Sequence, residues 1–252
     1  MKALITGASS GIGRDMARVL SEKGYDLVLV ARRKERLEEL AKELKTSCRI
    51  VCADLSKPEE CEALYEQVKE EKIDILINNA GFGILGEFTE IDLSRELNMI
   101  DVNIKAVTIL TKLFLKDFKK RNAGRILNVA SSAGFLPGPL LSGYYASKAY
   151  VLRLSQAIYE ELRHEKSKVG ISVLCPGPVD TEFNDVANVK FALKGLSSEY
   201  VAKYAIEKLL KGKLVIVPGN TMKFMHFLTK VTPDKILLKV AYHQQKKKRE
   251  EK

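Results

Sequence analysis

Short hydrophobic runs alternate along the chain with longer segments of helical periodicity. The runs are rich in valine, isoleucine and leucine, and each is too short to form a helix of ordinary length. They occupy residues 2–6, 26–30, 48–52, 74–77, 125–129, 171–175 and 213–217. Because their hydrophobicity is nearly continuous rather than alternating, they indicate strands that are buried on both faces, as in a parallel sheet.

Amphipathic segments, such as residues 34–45 and 58–71, separate these runs. In the second of them, Pro58 suits the first helical turn. Strands that alternate with helices predict right-handed βαβ units, with helices on both faces of the sheet. The sequence shows no internal repeat, no low-complexity linker and no domain break. We therefore expect a single doubly wound α/β domain over residues 1–252, built on parallel strands.

The chain carries an excess of positive charge. Lysine and arginine number 42 against 32 for aspartate and glutamate, which gives a formal net charge of +10. Such a balance favours anionic partners, which include phosphorylated cofactors, acidic substrates, nucleic acids and membrane surfaces. The charge is spread along the sequence and no recognition helix is evident, so we expect no nucleic-acid partner.

Cysteine usage and the apolar segments bear on the cellular compartment. The four cysteines form no CxxC pair, which favours free thiols in a reducing environment. The apolar start of the chain meets Gly7 too early for a signal peptide. No stretch approaches the roughly 18 uninterrupted apolar residues of a membrane span. We expect a soluble, cytoplasmic protein.

A glycine-rich segment, TGASSGIG at residues 6–13, follows the first predicted strand and precedes a helix. Gly7 permits the tight turn out of the strand, and Gly11 and Gly13 leave room for a pyrophosphate and for close packing of helix on strand. The free N–H groups at the helix start then face the phosphates. The segment predicts a dinucleotide site, with contacts from Gly7, Ser9, Ser10, Gly11, Ile12 and Gly13.

The second strand is followed by two arginines rather than an acidic residue. In dinucleotide-binding folds, an acidic side chain about 20 positions after the glycines holds the ribose 2′-hydroxyl of NAD. Arg32 stands near that distance, with Arg33 beside it. Guanidinium groups attract the 2′-phosphate of NADP. We therefore predict NADP(H) as the cofactor, with Arg32 as the preferred phosphate ligand of the two.

A series of motifs in order makes the sequence resemble the short-chain dehydrogenase/reductase family. They are TGASSGIG (6–13), DL (54–55), NNAG (78–81), Asn103, SSAG (131–134), YYASK (144–148) and PGPVDT (176–181). The resemblance implies a Rossmann-type fold with a seven-stranded sheet in the order 3-2-1-4-5-6-7. It also implies interconversion of a ketone and a secondary alcohol, and a homodimer or homotetramer built on long helices over residues 94–119 and 145–166.

Two adjacent tyrosines compete for the catalytic position. Helix geometry alone does not choose between them, because Lys148 lies within one turn of both Tyr144 and Tyr145. The family motif places its tyrosine four residues before the lysine, which corresponds to Tyr144. The family's serine lies 13 residues before that tyrosine and three before a glycine, and Ser131 meets both conditions. The assisting asparagine of the family corresponds to Asn103.

The resemblance assigns each of these groups a role. Tyr144 protonates the alkoxide that hydride transfer leaves, and a phenol with a pKa near ~10 is a usable acid but a poor base at neutral pH. The Lys148 ammonium is expected to lower that pKa and to bind the nicotinamide ribose. Ser131 holds the substrate oxygen, and Asn103 positions a water molecule.

No metal site is predicted. The sequence contains no cluster of cysteine, histidine and aspartate with ligand spacing, and proton transfer through a tyrosine requires no metal. The three histidines are scattered and are expected at the surface, at His164, His226 and His243.

Further cofactor contacts are expected where other strands end, because ligands of open α/β sheets bind at the carboxyl ends of the strands. Asp54 and Leu55 should flank the adenine. Asn79, Ala80 and Gly81 should allow the cofactor close to the backbone. The segment after the sixth strand should meet the nicotinamide end, with contacts from Pro176, Gly177, Val179 and Thr181.

Apolar segments predict the substrate region. Residues 182–197 should form one wall over the substrate and residues 135–143 the opposite wall. An apolar ketone or acyl chain suits such walls, and it is equally open that residues 182–197 only cap the core. The apolar side chains of the first wall are Phe183, Val186, Phe191 and Leu193. The substrate class is therefore left as a carbonyl, 3-oxoacyl or steroid-like compound.

Two amphipathic helices are predicted in a C-terminal extension, residues 220–245, before a frayed basic tail at 246–252. Thr232 and Pro233 have the character of a helix cap and first position. Basic amphipathic helices can lie on membranes, but they more often pack on their own domain or on a partner subunit. A nucleotide-sensing or membrane-associated binding protein on the same scaffold is the alternative to an active oxidoreductase. The intact catalytic motif favours the enzyme.

Overall fold

A seven-stranded parallel sheet forms the centre of the molecule. The computed structural model describes residues 1–183 and 195–250. The strands are β1 Lys2–Thr6, β2 Asp26–Ala31, β3 Cys48–Cys52, β4 Ile75–Asn78, β5 Arg125–Val129, β6 Gly170–Leu174, β7 Val179–Asp180, β8 Leu196–Ser197 and β9 Val215–Ile216. The sheet order is β3-β2-β1-β4-β5-β6-β9, while β7 and β8 pair separately. The predicted fold class and strand order are confirmed, with β9 as the seventh strand of the sheet.

The strands follow the hydrophobic runs closely. β1, β3 and β5 have the predicted bounds, whereas β4 and β6 are shifted along the chain from the predicted runs. The run 213–217 contributes only Val215 and Ile216, because β9 pairs with β6 over those two residues at the edge of the sheet.

Helices cover both faces of the sheet. They are α1 Gly11–Glu22, α2 Lys34–Glu43, α3 Pro58–Val68, α4 Leu93–Ile100, α5 Val107–Lys120, α6 Ser142–His164, α7 Ser198–Leu210, α8 Asn220–Val231 and α9 Asp234–Glu250. A π-helical segment, Asp101–Ala106, joins α4 to α5, and a 3₁₀ turn, Ser132–Phe135, follows β5. α9 extends to Glu250, into the segment that the sequence predicts as a frayed tail. Among the described helices, none has the length and apolar character that crossing a membrane requires.

The two faces of the sheet bury separate hydrophobic cores. In β2, Leu27 and Leu29 join the core on the side of α1 and α7, and Val28 joins the core on the side of α3 and α5. All three side chains are at most 1% exposed. Because helices cover both faces, β2 is hydrophobic at every position after Asp26, which explains the continuous pattern in the sequence.

β1 and β4 are neighbours in the sheet although they are not consecutive in the chain. The chain runs from this pair to β2 on one side and to β5 on the other. At such a switch point the connections diverge and leave a crevice at the carboxyl ends of the strands, which is the usual ligand site of an open α/β sheet. The glycine-rich segment after β1 and residues 79–81 after β4 border this crevice.

Candidate active site

The glycine-rich segment turns tightly from β1 into α1. Gly7 and Gly11 adopt left-handed backbone conformations, with φ of +65° and +53°, which glycine accommodates without strain. Gly13 is packed so closely that a Cβ atom there would lie 2.5 Å from the Gly7 carbonyl oxygen. Ser10 precedes α1, but its side chain makes no capping hydrogen bond within the described chain. The first N–H groups of α1 therefore keep their capacity to bind an anion.

Asn79 braces this turn from the neighbouring strand. Its Nδ2 atom donates hydrogen bonds of 3.1 Å to the carbonyl oxygens of Thr6 and Gly7. Its backbone N–H donates to Thr6 Oγ1 over 3.0 Å. The sequence predicts only a close approach of cofactor to backbone at residues 79–81. The structure adds that the Asn79 side chain holds in shape the turn at residues 7–13, which is called the phosphate turn below after its predicted role.

Arg33 reaches the same turn from the end of β2. Its Nη2 atom donates hydrogen bonds to the hydroxyl groups of Ser9, at 3.1 Å, and Ser10, at 3.2 Å. Arg32 lines the same cavity. Of the two arginines, Arg33 is therefore the one whose contacts tie it to the phosphate turn, whereas the sequence favours Arg32.

Glu182 lies between two guanidinium groups. Its carboxylate pairs with Arg33 at 3.0 Å and also with Arg36. The hydrogen bond from Arg36, together with that from Arg33, holds the pKa of the Glu182 carboxyl below its ordinary value against a smaller effect of burial. A carboxylate thus occupies a position where cationic groups gather beside the phosphate turn.

Ser131, Tyr144 and Lys148 come together at the carboxyl end of β5. Tyr144 and Lys148 lie one turn apart on α6 and are 9% and 5% exposed. The Ser131 side chain lies close enough to the Tyr144 phenol to act on its pKa. Lys148 Nζ lies 5.8 Å from the centre of the Tyr144 ring and donates to the Val129 carbonyl oxygen over 3.0 Å. The predicted serine, tyrosine and lysine are therefore one contiguous group.

The pKa of Tyr144 lies above its ordinary value, because burial disfavours the charged phenolate more than the Ser131 side chain favours it. The lowering by Lys148 that the sequence predicts is not found. The ammonium group is directed at the Val129 carbonyl oxygen rather than at the phenol. Burial also lowers the pKa of Lys148 to about 8. The ammonium is therefore still mostly protonated at neutral pH.

Asn103 lies in the π-helical segment and is completely buried. Its Nδ2 atom donates to the Phe82 carbonyl oxygen over 2.9 Å and to Ser147 Oγ over 3.0 Å, while Oδ1 accepts from the Phe82 N–H over 3.1 Å. Ser147 in turn donates to the Tyr144 carbonyl oxygen over 2.7 Å. Asn103 thus ties the segment after β4 to α6, and its side-chain groups are engaged within the protein.

One cavity of about 1060 Å³ connects these groups. Of the predicted site residues, all of which the structure describes, only Gly13 and Asn103 do not line it. Both lie directly behind lining residues, because a Cβ atom on Gly13 would lie 2.3 Å from Asn79 Nδ2 and one on Gly81 would lie 2.8 Å from Asn103 Oδ1. Segments that follow six different strands, β1 to β6, therefore meet in a single crevice at the carboxyl edge of the sheet.

The C-terminal helices α8 and α9 form an apolar part of this cavity. Met222, Met225 and Leu228 line it from α8, and Ile236 and Val240 line it from α9. The wall expected at residues 135–143 also contributes, through Phe135, Leu136 and Leu141. The extension at 220–245 is therefore part of the cavity wall.

Of the other predicted wall, residues 182–197, the structure describes residues 182–183 and 195–197. The Phe183 ring lies 5.4 Å from the Tyr144 ring, measured between centres, and lines the cavity. The remaining apolar side chains of that wall lie outside the described residues: Val186, Phe191 and Leu193.

Three residues of the site escape the sequence analysis. Arg36 lies in the first turn of α2, and its closeness in sequence to Arg32 and Arg33 could have identified it as a third cationic group after β2. His226 was expected at the surface, but it lines the cavity and its Nδ1 atom is buried. Gln245 donates a hydrogen bond of 2.7 Å to the Tyr145 hydroxyl. No sequence signal indicates that contact, which joins residues 100 positions apart.

In the part of the chain that the structure describes, no three or more histidine, cysteine, aspartate and glutamate side chains gather into a group that could hold a metal ion. All four cysteines are free thiols: Cys48, Cys52, Cys61 and Cys175.

Known proteins share this fold. The family description "short chain dehydrogenase" matches residues 1–191. A short-chain dehydrogenase from Sphingobium yanoikuyae in complex with NADPH is 33% identical, with a TM-score of 0.81 over 87% of this chain and 88% of that one. A short-chain dehydrogenase/reductase from Burkholderia phymatum in complex with NAD is 27% identical, with a TM-score of 0.82 over 90% and 92%. A bulky-bulky ketone specific alcohol dehydrogenase from Comamonas testosteroni is 29% identical, with a TM-score of 0.79 over 91% of both chains.

The family match covers every predicted site residue but ends before α8 and α9. The end of the cavity at residues 7–13 and the end at Ser131 and Tyr144 therefore lie within the matched part of the chain. The apolar wall that α8 and α9 contribute lies outside it.

Proposed function

The chain belongs to the short-chain dehydrogenase family, and from that premise we propose that it is an NADP(H)-dependent oxidoreductase that interconverts a ketone and a secondary alcohol. The observation that carries the proposal is that Ser131 and Tyr144 lie together in the cavity that also contains the phosphate turn. A positioned proton donor beside a dinucleotide site is what reduction of a carbonyl group requires.

Tyr144 is the proposed general acid. Its raised pKa keeps the phenol protonated at neutral pH, and only that form can donate a proton to the oxygen of a carbonyl under reduction. Ser131 supplies a second hydrogen bond to the same oxygen and holds it beside the phenol. Hydride for the carbonyl carbon is the chemistry that a reduced nicotinamide supplies when bound.

The proposed role of Lys148 is at the cofactor. Its ammonium group lies 5.8 Å from the Tyr144 ring centre and is directed at the Val129 carbonyl oxygen rather than at the phenol. The same ammonium would hold the nicotinamide ribose. The other cofactor contacts are the phosphate turn at residues 7–13 for the pyrophosphate, Asp54 and Leu55 for the adenine, and residues 176–181 for the nicotinamide. Asn103 keeps α6 in position through Ser147.

The proposed preference for NADP(H) rests on the cationic groups beside the phosphate turn. Similar proteins are known with NADPH and with NAD, so likeness alone does not choose. Arg33 is held against Ser9 and Ser10, and Arg36 shares a carboxylate with it. A 2′-phosphate would offer these guanidinium groups a stronger partner than Glu182 does, because it carries more charge and more acceptor oxygens.

The proposed substrate is a bulky apolar ketone or the corresponding alcohol. Methionine, leucine, isoleucine and phenylalanine side chains line the part of the cavity at α8, α9 and residues 135–141. Such a pocket favours apolar surface over charge. The similar Comamonas enzyme is specific for bulky-bulky ketones, which supports the proposal without deciding it.

A ketone screen with NADPH and NADH side by side tests this function. Aliphatic, cyclohexanone-based and polycyclic ketones are offered at equal concentration, and the decrease in cofactor absorbance is followed. We expect turnover that rises with the apolar size of the ketone and is faster with NADPH. If no ketone consumes NADPH and no secondary alcohol reduces NADP⁺, the proposed function is wrong.

A second candidate, a membrane-associated binding protein, is favoured by the outer face of α8. Phe224, Phe227 and Val231 recur at helical spacing and are 61%, 59% and 62% exposed. Lys223 and Lys230 lie beside this stripe. Exposed aromatic side chains with neighbouring lysines suit an anionic membrane surface.

Sedimentation with vesicles separates this candidate from a freely diffusing enzyme. Anionic vesicles should pellet the wild-type protein and should pellet less of a variant that carries Phe224→Ser and Phe227→Ser, with uncharged vesicles as the control. Equal pelleting of the two proteins removes the candidate.

A further inference from the structure

His226 places an unsatisfied polar group in the apolar part of the cavity. It lies on α8 among cavity-lining methionine and leucine side chains. Its Nδ1 atom is buried and has no hydrogen-bond partner among the described residues. Buried polar atoms in folded proteins are nearly always paired, so an exception calls for a physical reason. An unpaired Nδ1 indicates which ring nitrogen carries the proton of the neutral ring, and therefore which one can donate a hydrogen bond to a ligand.

The imidazole ring has a fixed orientation. It lies over the Phe135 ring, with 3.7 Å between the ring centres and 31° between the planes. Phe135 ends the 3₁₀ turn that begins beside Ser131. One turn along α8, Thr229 Oγ1 donates to the His226 carbonyl oxygen over 2.8 Å. The ring is therefore held against the segment that also carries the proposed substrate-binding serine.

The proton of the neutral ring belongs on Nε2. Burial, with smaller effects of the charges on Lys230 and Arg153, lowers the pKa of His226, so the ring is neutral at neutral pH. A neutral imidazole carries one N–H, and an unpaired lone pair is less costly to bury than an unpaired N–H. Nδ1 is sealed from solvent, whereas Nε2 is not. The available group is therefore an N–H donor on Nε2.

From these contacts we infer that His226 binds a second, uncharged acceptor oxygen of the substrate through its Nε2–H group. The ligand class that follows is an apolar ketone that carries an ether, hydroxyl or further carbonyl oxygen remote from the reacting carbonyl. A single neutral donor in an apolar wall recognises such an oxygen by one hydrogen bond and rejects the analogue that cannot accept it. This inference rests on the proposed function, because it concerns the same substrate.

A matched series of ketones tests it. The series comprises 4-substituted cyclohexanones whose straight side chain is either all carbon or carries one ether oxygen at successive positions, so that each ether has a hydrocarbon partner of equal length. The measured quantity is kcat/KM with NADPH, expressed as the ratio of ether to hydrocarbon partner. Wild-type protein is compared with His226→Phe, which keeps the stack on Phe135 and loses the donor, and with His226→Gln, which restores an N–H at a similar reach.

At one position of the ether oxygen, the ratio should fall by about 3- to 10-fold in His226→Phe, the effect of one neutral hydrogen bond. The hydrocarbon partners should show no matching loss, and His226→Gln should recover part of the ratio. If the ratio is the same in wild type and His226→Phe at every position, the inference is wrong. If a carboxylate-bearing cyclohexanone gains most from His226, the uncharged class is wrong.

A measurement without turnover keeps the two proposals separable. The protein is labelled with ¹⁵N-histidine, and the His226 signals are identified by their loss in His226→Phe. The ring should give the pattern of a neutral Nε2–H tautomer, and addition of the ether ligands with NADPH should shift the Nε2 signal while the hydrocarbon partners leave it unchanged. Absence of all ketone turnover would overturn the proposed function, and an Nε2 signal that ignores every ether ligand would overturn the role of His226.

Discussion

Gln245 donates a hydrogen bond of 2.7 Å to the hydroxyl group of Tyr145, and this contact fastens the last helix of the chain to the helix that carries Tyr144. Gln245 is 3% exposed. α9, which contributes Ile236 and Val240 to the cavity wall, is thereby attached one residue away from the proposed proton donor. The adjacent tyrosines of the YYASK motif thus have different tasks, since Tyr144 faces Ser131 and Tyr145 holds the wall.

Tyr145→Phe should weaken substrate binding without abolishing the chemical step. The hydroxyl that Gln245 contacts is lost, while Tyr144, Ser131 and Lys148 remain. We expect KM for an apolar ketone to rise roughly fivefold, the effect of one neutral hydrogen bond, and kcat to change less. In a double-mutant cycle with Gln245→Leu, chemical unfolding should show a coupling of about 1 kcal/mol between the two side chains. A coupling near zero together with an unchanged KM would contradict the proposed attachment.

Tyr144→Phe should remove the reaction and spare the cofactor site. The variant keeps the ring but has no proton to donate, and loss of a positioned general acid typically costs about 10²- to 10⁴-fold in rate. NADPH affinity, measured by quenching or calorimetry, should stay within about twofold, since the lost hydroxyl is one small polar group. Tyr150→Phe is the matched control, because Tyr150 lies on the outer side of the same helix, 38% exposed, where its hydroxyl meets Thr108. Retention of full activity in Tyr144→Phe would refute the assignment.

The contact between Glu182 and two arginines predicts a change in cofactor affinity. The carboxylate competes with a 2′-phosphate for Arg33 and Arg36, so Glu182→Gln should tighten NADPH binding by about two- to fivefold, as expected for exposed charges. NADH, which lacks that phosphate, should gain little. Because the effect is electrostatic, it should shrink when the salt concentration is raised. Equal gains for both cofactors would show that Glu182 acts in some other way.

Arg33→Ala should act in the opposite direction. Removal of a guanidinium that would make charge-assisted hydrogen bonds to the 2′-phosphate should weaken NADPH by about 10- to 100-fold and NADH much less. Lys34→Ala is the control, since Lys34 is the next residue along the chain and its side chain is 64% exposed. If Arg33→Ala weakens both cofactors equally, Arg33 supports the phosphate turn through Ser9 and Ser10 and does not select NADP(H).

The fold was predictable because the central strands β1, β2, β4, β5 and β6 are buried on both faces and therefore carry their own hydrophobic signal. The Ser131, Tyr144 and Lys148 group was also predictable, because two spacings within one motif set agree on the same serine and tyrosine. Contacts between distant segments were not. The carboxylate of Glu182 meets Arg36 across 146 positions, and nothing in either local sequence indicates that meeting.

Local sequence also fails where packing decides the outcome. His226 has the ordinary character of a helical surface residue, and only the stack on Phe135 turns it toward the cavity. The direction of the pKa shift at Tyr144 depends on how completely the phenol is buried and on the carbonyl that Lys148 meets. Both quantities are properties of the folded protein and have no counterpart in the spacing of the motif.

Lys148 predicts a dependence of stability on pH. Burial lowers its pKa to about 8 in the folded protein, against an ordinary value of 10.5. Between these two values the unfolded chain binds more protons than the folded one, so this group makes the free energy of unfolding rise as the pH rises. A difference of this size corresponds to about 3 kcal/mol over the whole window, as an order of magnitude.

The effect of Lys148 is isolated by comparison with Lys148→Met, because buried tyrosines and cysteines also titrate in this range. Urea unfolding of both proteins at pH 7.5 and pH 10 gives the difference in the free energy of unfolding at each pH. The free energy of unfolding of wild type should increase relative to that of Lys148→Met as the pH rises. The reason is that only wild type has a buried ammonium group, and deprotonation removes the unfavourable burial of its charge. Lys105→Met, at a lysine that is 57% exposed, should show no such change. A wild-type advantage that is constant or falls with pH would mean that Lys148 is not held in a buried, proton-releasing environment.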